Sequence, residues 1–466
     1  MTVPTASPAL MELAALGPRG PYVSRNRELV ADVRGGPLAE LSLVPALFVQ
    51  RAMRTLSKAE SPGESDREAA LTQAGPLFST GVVGGVSAEE YHRAVAAASG
   101  MPITFVRTAS QGVGDYAAAA FDAARMARPV GAVSGWRAPA ARSGAAVWVR
   151  RGDVLAVHAP ANTPAVHSAW LDALALGYRV AVRPSRREPF TPHRLVTALR
   201  ESGFGPDQLL LLPTDHAAAD GIIAEADVAL AFGGDAVVGK YGAGPMVLPQ
   251  GPGRSKILLT SGADVDRHLD TVVESVADQA GTGCVNATAV FVEGDPAPVA
   301  EAIAARLADA PALPPEDERA VLPVRAESDA RDIDEFLRSR RGDARSLLGD
   351  TVVAPLGDGS AALRPAVFLV DRADAPQARI ELGFPCVWVA PWTRQDGIAP
   401  LRDTLVLTVL GDDEALVDRL VAEPSIRNVH VGDHPTTWSR PGVPHDGYLG
   451  EFLMRAKTVI RDDPGR

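Results

Sequence analysis

Between residues 154 and 232 strand-like and helix-like stretches alternate without a break, and this alternation constrains the chain more than any other feature. Residues 154–158, 179–182, 209–212 and 228–232 are short apolar runs, and helical patterning fills the gaps between them. Parallel strands need a crossover, usually a helix, so the region predicts βαβ units in a parallel sheet. Thr163 followed by Pro164 reads as a cap with a first-turn proline, for a helix running to about residue 176 with Gly177 as its stop. Thr191-Pro192 repeats the device for a helix ending at Ser202-Gly203, and a short helix is expected over 217–224. The strand at 228–232 runs into Gly233-Gly234-Asp235-Ala236-Val237-Val238-Gly239. A strand feeding a glycine turn into a helix start offers free N–H groups to a dinucleotide pyrophosphate, which makes Gly233, Gly234 and Gly239 cofactor-binding candidates; a plain turn is the competing reading. The strand at 179–182 ends in Arg183-Pro184-Ser185-Arg186-Arg187, with no acid before Glu188. An acidic residue there would bind adenosine ribose hydroxyls, whereas arginine suits a 2′-phosphate. Arg183, Ser185 and Arg186 therefore point to NADP(H), with NAD(H) as the alternative and a solvated loop as the bland reading.

A second α/β section follows residue 250. It predicts strands at 257–260, 287–293, 366–370, 386–389, 404–410 and 429–431, and helices at 264–280, 298–308 and 328–338. Between helix 264–280 and strand 287–293 stands Gly281-Thr282-Gly283-Cys284. Sulfur is nucleophilic as thiolate, so a working cysteine needs partial exposure and nearby donors, and flanking glycines leave its approach side open. Cys284 is thus a candidate nucleophile, weighed against a small core residue. Cys386, within Phe384-Pro385-Cys386-Val387-Trp388, reads as a packed strand residue. Earlier in the chain, Ser87-Ala88-Glu89-Glu90 predicts a capping box, residues 115–126 a helix ended by Pro129, and 60–66 an exposed loop. Residues 145–157 read as two β runs around an Arg-Gly-Asp turn.

Bulk properties narrow the function classes. A net charge of -11 argues against a nucleic-acid surface, which needs cationic excess. Two cysteines in 466 residues cannot form a disulfide framework and point to a reducing, cytoplasmic location. No apolar run reaches the length of a membrane span, and the first residues lack the basic and apolar parts of a leader. No metal is called for.

From about residue 147 onward these pieces resemble, in order, the aldehyde dehydrogenase superfamily. His158-Ala159-Pro160-Ala161-Asn162-Thr163-Pro164 is similar to the family's strand-end Pro-Trp-Asn segment. Residues 173–177 with Val180-Ala181-Val182-Arg183-Pro184-Ser185 resemble its hydrophobic-Lys-Pro-Ser-Glu run, with arginine for lysine. Phe232-Gly233-Gly234-Asp235 through Gly239 resembles its Phe-Thr-Gly-Ser turn, Gly281-Thr282-Gly283-Cys284 its nucleophile motif, and Glu381-Leu382-Gly383-Phe384-Pro385 its Glu-x-Phe-Gly-Pro segment. The resemblance implies a Rossmann-type cofactor domain, a second α/β catalytic domain and a small β oligomerisation flap. It implies that Cys284 is the nucleophile, that Asn162 and the Cys284 N–H form an oxyanion hole, and that Glu381 holds the nicotinamide ribose. The implied division is 1–133 with 152–250 for NADP(H), 251–435 for catalysis, and 134–151 with 436–466 for assembly into a homodimer or homotetramer.

One departure steers the functional expectation. Aldehyde-oxidising members carry Glu-Leu-Gly-Gly-Lys, whose glutamate activates the hydrolytic water; here the stretch is Gln250-Gly251-Pro252-Gly253-Arg254. Glutamine cannot take a proton from water near neutral pH. The acyl group would then be exchanged with a thiol, as in the CoA-acylating branch and the fatty acyl-CoA reductases of bacterial luminescence, which Pro444-His445-Asp446-Gly447-Tyr448 also resembles. The expected reaction is NADPH-dependent reduction of an acyl thioester, CoA-linked or carrier-protein-linked, to an aldehyde. The alternatives are an NAD(P)-dependent dehydrogenase making free acid, with Glu274 or a water chain as base, and a non-catalytic homologue in a biosynthetic complex. His158 and His167 fall near the expected site as proton relays, with a structural role favoured for His167.

Overall fold

The computed structural model describes residues 10–460. Residues 1–9 and 461–466, parts of the spans 1–133 and 436–466 named above, lie outside the described residues. Two short strands, β1 (Ala15–Gly17) and β2 (Gly20–Tyr22), precede helices α1 (Glu64–Thr80) and α2 (Ile103–Arg125). Helix α2 begins well before residue 115. Its Gly112 and Gly114 look like breaks in the sequence, but Gly114 serves a close helix crossing: a Cβ on Gly75 of α1 would lie 2.3 Å from the Gly114 carbonyl oxygen. The capping box forms as the sequence predicts, with Ser87 accepting from the Glu90 N–H ahead of the helix Ala88–Ser99.

The alternating region then supplies β3 (Val147–Arg150), β4 (Val154–His158), α3 (Leu171–Ala175), β5 (Arg179–Arg183), α4 (Phe190–Glu201), β6 (Leu209–Leu211), α5 (His216–Ala224), β7 (Val228–Phe232), α6 (Asp235–Tyr241) and β8 (Val247–Gln250). The sheet order is β8-β7-β4-β5-β6-β1-β2, parallel from β8 to β6. Strand order reverses at β4, so the crevice beyond the carboxyl ends of β4 and β7 is the ligand position of a doubly wound sheet.

Two helix starts differ from expectation. The helix after Thr163 is split: Thr163 caps it by accepting from the Ala165 N–H, but Pro164–Ser168 is a 3-10 turn and α3 begins only at Leu171. Trp170 Nε1 donates to His167 Nδ1 across that break at 3.2 Å, an i,i+3 pairing that the eclipsed 3-10 geometry favours. Helix α4 starts at Phe190, ahead of the expected Thr191 cap; the Glu188 carboxylate takes the Thr191 N–H at 2.8 Å instead.

The second sheet is built from β9 (Ser255–Leu259), β10 (Ala287–Glu293), β11 (Arg345–Ser346), β12 (Ala366–Leu369), β13 (Cys386–Trp392), β14 (Thr404–Leu410) and β15 (Ile426–Val431), with helix α7 (Val265–Ala277) between β9 and β10. Its order is β11-β12-β13-β10-β9-β14-β15, parallel except at β11. Phe368 stacks on Trp388 at 4.5 Å inside its core, and Cys386 is buried there. Strand β16 (Met454–Lys457) pairs antiparallel with β3, joining the segments 134–151 and 436–466 in one two-stranded sheet. Among the described residues no helix is long and apolar enough to cross a membrane, and no group of His, Cys, Asp and Glu could hold a metal ion.

Candidate active site

All strands of the second sheet that flank β10 run parallel, so the residues just before them gather at one end: Arg254 before β9, Cys284 before β10, Glu381 before β13 and Asp403 before β14. The Cys284 loop is shaped by backbone conformation. Gln279, Ala280 and Gly281 are consecutively left-handed, at φ 54°, 55° and 67°, which turns the chain sharply after α7. Two of these are not glycine, and each costs on the order of 1–2 kcal/mol. Asn286 offsets that strain: its Oδ1 accepts from the Gly283 N–H at 2.8 Å, while its Nδ2 donates to Asp278 O at 2.8 Å and Ser275 O at 3.2 Å. Packing fixes the rest. A Cβ on Gly253 would stand 1.8 Å from the Cys284 carbonyl oxygen, and one on Gly281 would stand 2.3 Å from the Pro385 nitrogen. Ser255 Oγ donates to the same Cys284 carbonyl at 3.1 Å.

Asn162 follows β4 and reaches this loop, its Nδ2 donating to Thr282 O at 3.3 Å. One amide hydrogen remains, and Oδ1 is buried without a partner. The structure therefore brings Asn162 and Cys284 together across the crevice. Cys284 as a residue is partly exposed, while its sulfur lies in a desolvated setting. Burial, then the Glu381 and Asp446 carboxylates, push it up to about 12, while the N–H groups of Cys284 and Val285 favour the thiolate.

At a pKa near 12 only about one thiol in 10⁵ is ionised at pH 7 in the resting chain. Alkylation of Cys284 by iodoacetamide should accordingly rise close to tenfold per pH unit from pH 7 to 10. A plateau near pH 8 would contradict the environment described. Asp446→Asn removes one of the two carboxylates and should speed alkylation several-fold at fixed pH.

Glu381 is engaged before any ligand arrives: its Oε2 accepts from the Arg254 N–H at 2.6 Å. Arg254, left-handed at φ 45°, extends its guanidinium to both Asp235 carboxylate oxygens at 2.8 and 2.7 Å. Asp235, a like charge beside any pyrophosphate at α6, is thereby compensated. Lys256 locks this corner, the three hydrogens of its buried ammonium shared among Arg254 O, Arg402 O and Asp403 O at 3.0, 3.0 and 3.3 Å and Thr404 Oγ1. Burial pushes it down to about 7.

The dinucleotide candidates line the carboxyl ends of the first sheet. Gly233 follows β7 and donates to Gln250 O at 3.0 Å; a Cβ there would meet Val237 at 2.4 Å, so the turn needs glycine. The Cβ directions of Gly234 and Gly239 are open. Arg183 ends β5 with its Nε buried and unpartnered, and burial followed by Arg186 lowers its pKa, so it is a donor in want of an anion. Its Nη2 reaches Thr214 O at 3.5 Å, and no ion pair holds it among the described residues, so the guanidinium fits a phosphorylated dinucleotide. Ser185 Oγ accepts from the Arg187 N–H at 3.3 Å. Arg186 is less free than the sequence implies: Glu28 binds it at 2.7 Å and His216 at 3.2 Å. The acid absent after β5 thus arrives from the strand Arg27–Ala31, far away in sequence.

Other expected participants are placed elsewhere. Glu274 is exposed on α7 with Asp278 and Asp270 as its charged neighbours, whereas the carboxylates that act on the thiol are Glu381 and Asp446. The expectation of Glu274 as base is corrected on that ground. His158 is held through Nε2 by Ala219 O at 3.1 Å and pushed down to about 4 by burial, then by Arg183; buried His167 is pushed down to about 3. Both are neutral at pH 7. Sequence reasoning missed Asp446 as a neighbour of the thiol, because nothing local marks a residue so distant in the chain. It missed Asn286 despite a local sign, an asparagine two residues past the cysteine that can bond back to the turn.

The aldehyde dehydrogenase family model matches residues 52–448. Malonate-semialdehyde dehydrogenase 3 of Geobacillus kaustophilus is 26% identical over 166 residues, 34% of this chain and 34% of that protein. Aldehyde dehydrogenase 1A1 of Homo sapiens is 29% identical over 145 residues, 29% of each. The chain thus spans about a third of the length of the curated relatives it matches. Two solved structures share the fold over nearly the whole chain: an NAD-dependent aldehyde dehydrogenase from Sinorhizobium meliloti, with TM-score 0.81, 17% identity and coverage of 97% of this chain and 96% of that one, and an NADP dependent enzyme of E. coli, with TM-score 0.80, 15% identity and coverage of 97% and 98%.

Proposed function

Because this chain belongs to the aldehyde dehydrogenase family, we propose that it oxidises an aldehyde at the expense of a nicotinamide dinucleotide, with the acyl group carried as a thioester on Cys284. The observation that supports this most is the meeting of Asn162 with the half-buried Cys284 loop in the crevice between the two sheets. In the proposed reaction the thiol releases its proton to solvent and the sulfur bonds to the aldehyde carbon as the carbonyl π pair moves onto oxygen. The oxygen that becomes negative is met by the free amide hydrogen of Asn162 and by the Cys284 N–H. The dinucleotide, when bound, supplies the hydride acceptor. Arg183, the Gly233-Gly234 turn and Ser185 would hold its phosphates and adenosine side, and the unpartnered Arg183 Nε favours NADP(H) over NAD(H). Glu381 would turn from the Arg254 N–H to the nicotinamide ribose. We also propose a homodimer or homotetramer assembled through the β3–β16 sheet.

Release of the acyl group needs a base for water. Gln250 cannot serve, and Glu381 is bound to Arg254. Asp446 is the other carboxylate acting on the sulfur, and its own ion pair with Arg427 is long at 3.5 Å. We assign it the water, which gives a free acid as product; the dehydrogenase relatives speak for oxidation of an aldehyde and are silent on what accepts the acyl group. Asp446→Asn should then lower acid release about a hundredfold or more while leaving the first burst of reduced nicotinamide. A second reading rests on Gln250: the acyl group leaves on CoA or a carrier thiol, and the chain also runs in reverse, reducing an acyl thioester to aldehyde. Product analysis from aldehyde and NADP⁺, with and without CoA, tests both. Acid formed without CoA supports hydrolysis; acyl-CoA formed only with CoA, unaffected by Asp446→Asn, supports thiol transfer.

A further inference from the structure

Away from the crevice, a cavity of about 540 Å³ opens where α1, α2, β3, β16 and the end of α3 meet. Four guanidiniums line it, those of Arg67, Arg125, Arg150 and Arg151, against two carboxylates, Glu64 and Asp153. This is a cationic hollow in a chain whose net charge is -11.

Both carboxylates are already used. Glu64 pairs with Arg125 at 2.6 Å, and Asp153 pairs with Arg150 at 2.9 Å and Arg179 at 3.6 Å. Arg67 and Arg151 form no ion pair among the described residues. Arg67 donates to Ala175 O at 3.2 Å and Pro62 O at 2.6 Å, and Arg151 to Phe452 O at 3.2 Å. Carbonyls orient a guanidinium but leave its charge uncompensated. Burial, reinforced by Arg150 and partly offset by Glu64, holds Arg67 below its ordinary range. Arg150 Nε is buried without a partner. The remaining wall is apolar: Trp148, Leu176 and Met454 line it, with Phe121, over whose ring the Arg67 and Arg125 guanidiniums stand at 5.8 and 5.4 Å.

We propose that this cavity is a binding site for an organic phosphate dianion, a phosphate monoester on an apolar body, separate from the dinucleotide crevice. The two guanidiniums without an ion pair match the charge of the phosphate, and their forked donors match its oxygens. The apolar wall takes the organic group, and the volume lies within the range of small-molecule sites. Arg67 holds the carbonyl of Ala175, the last residue of α3, on the segment that starts at Asn162. Occupancy therefore bears on the stretch that positions the amide facing Cys284. The site stands whether or not Cys284 is the nucleophile.

Titration calorimetry of the full chain with phenyl phosphate tests it, with inorganic phosphate and succinate as parallel probes. Submillimolar binding of phenyl phosphate is expected, weaker for the other two. Arg151→Gln, at the edge of the β3–β16 sheet given above to assembly and held by a single carbonyl bond, should weaken it about tenfold with the oligomeric state unchanged, and Arg67→Gln with Arg151→Gln about a hundredfold. Arg183→Gln in the crevice should leave it unchanged. Should the double variant fail to fold, as checked by circular dichroism, the Arg151→Gln comparison decides. No binding at 10 mM, equal binding to Arg151→Gln, loss in Arg183→Gln, or equal binding of succinate would overturn the proposal.

Discussion

Cys284→Ala should lose at least about ten-thousandfold in dinucleotide-dependent aldehyde oxidation while still folding and still binding the dinucleotide. The size follows from the proposed chemistry, because the sulfur is the atom bonded to the acyl carbon and no other described group stands in its place. Cys386 cannot replace it: it is 4% exposed at the start of β13, and burial raises its pKa too. The structural cost of the change is small, since Cys284 is half-buried and the loop is held by Asn286, Ser255 and the glycine contacts rather than by the sulfur. Near-native melting by circular dichroism and unchanged dinucleotide affinity would separate lost chemistry from lost fold. Cys284→Ser keeps the shape but offers a far poorer nucleophile, and should be nearly as inactive.

Asn162→Ala is expected to lower turnover by roughly a hundred- to a thousandfold, the usual consequence of removing one oxyanion donor. The Cys284 N–H would remain, so activity should fall without vanishing. Asn162 also ties its segment to Thr282 O, so alanine removes a loop contact as well as a donor. Asn162→Asp separates the two effects. It is nearly isosteric but sets an acceptor and a negative charge where the oxyanion forms, so it should be at least as slow as alanine. If aspartate restored turnover, the amide would be acting as a spacer.

The sheet topology was legible because its strands are short apolar runs bounded by turn residues; residues 228–232, 287–293 and 404–410 form strands at the predicted limits. Interruptions were harder to see. The helix predicted for 264–280 stops at Ala277, because Gln279 and Ala280 adopt left-handed backbone that no residue preference announces. The first 86 residues yielded little, since strands such as Met11–Leu13 are too short for alternation to register. At the site, Cys284, Asn162 and Glu381 were marked by motif. What surrounds them was not: Glu28 beside Arg186, Arg254 across to Asp235 and Asp446 near the sulfur depend on contacts between distant segments.

The most direct test is peptide mass spectrometry of the full chain, acid-quenched within the first turnover after mixing with an aldehyde and NADP⁺. An acyl adduct is expected, heavier than the free thiol by the acyl group less one hydrogen, confined to the peptide bearing Cys284 and absent when the dinucleotide is omitted. An unmodified Cys284 during active turnover, or full turnover by Cys284→Ala, would contradict it.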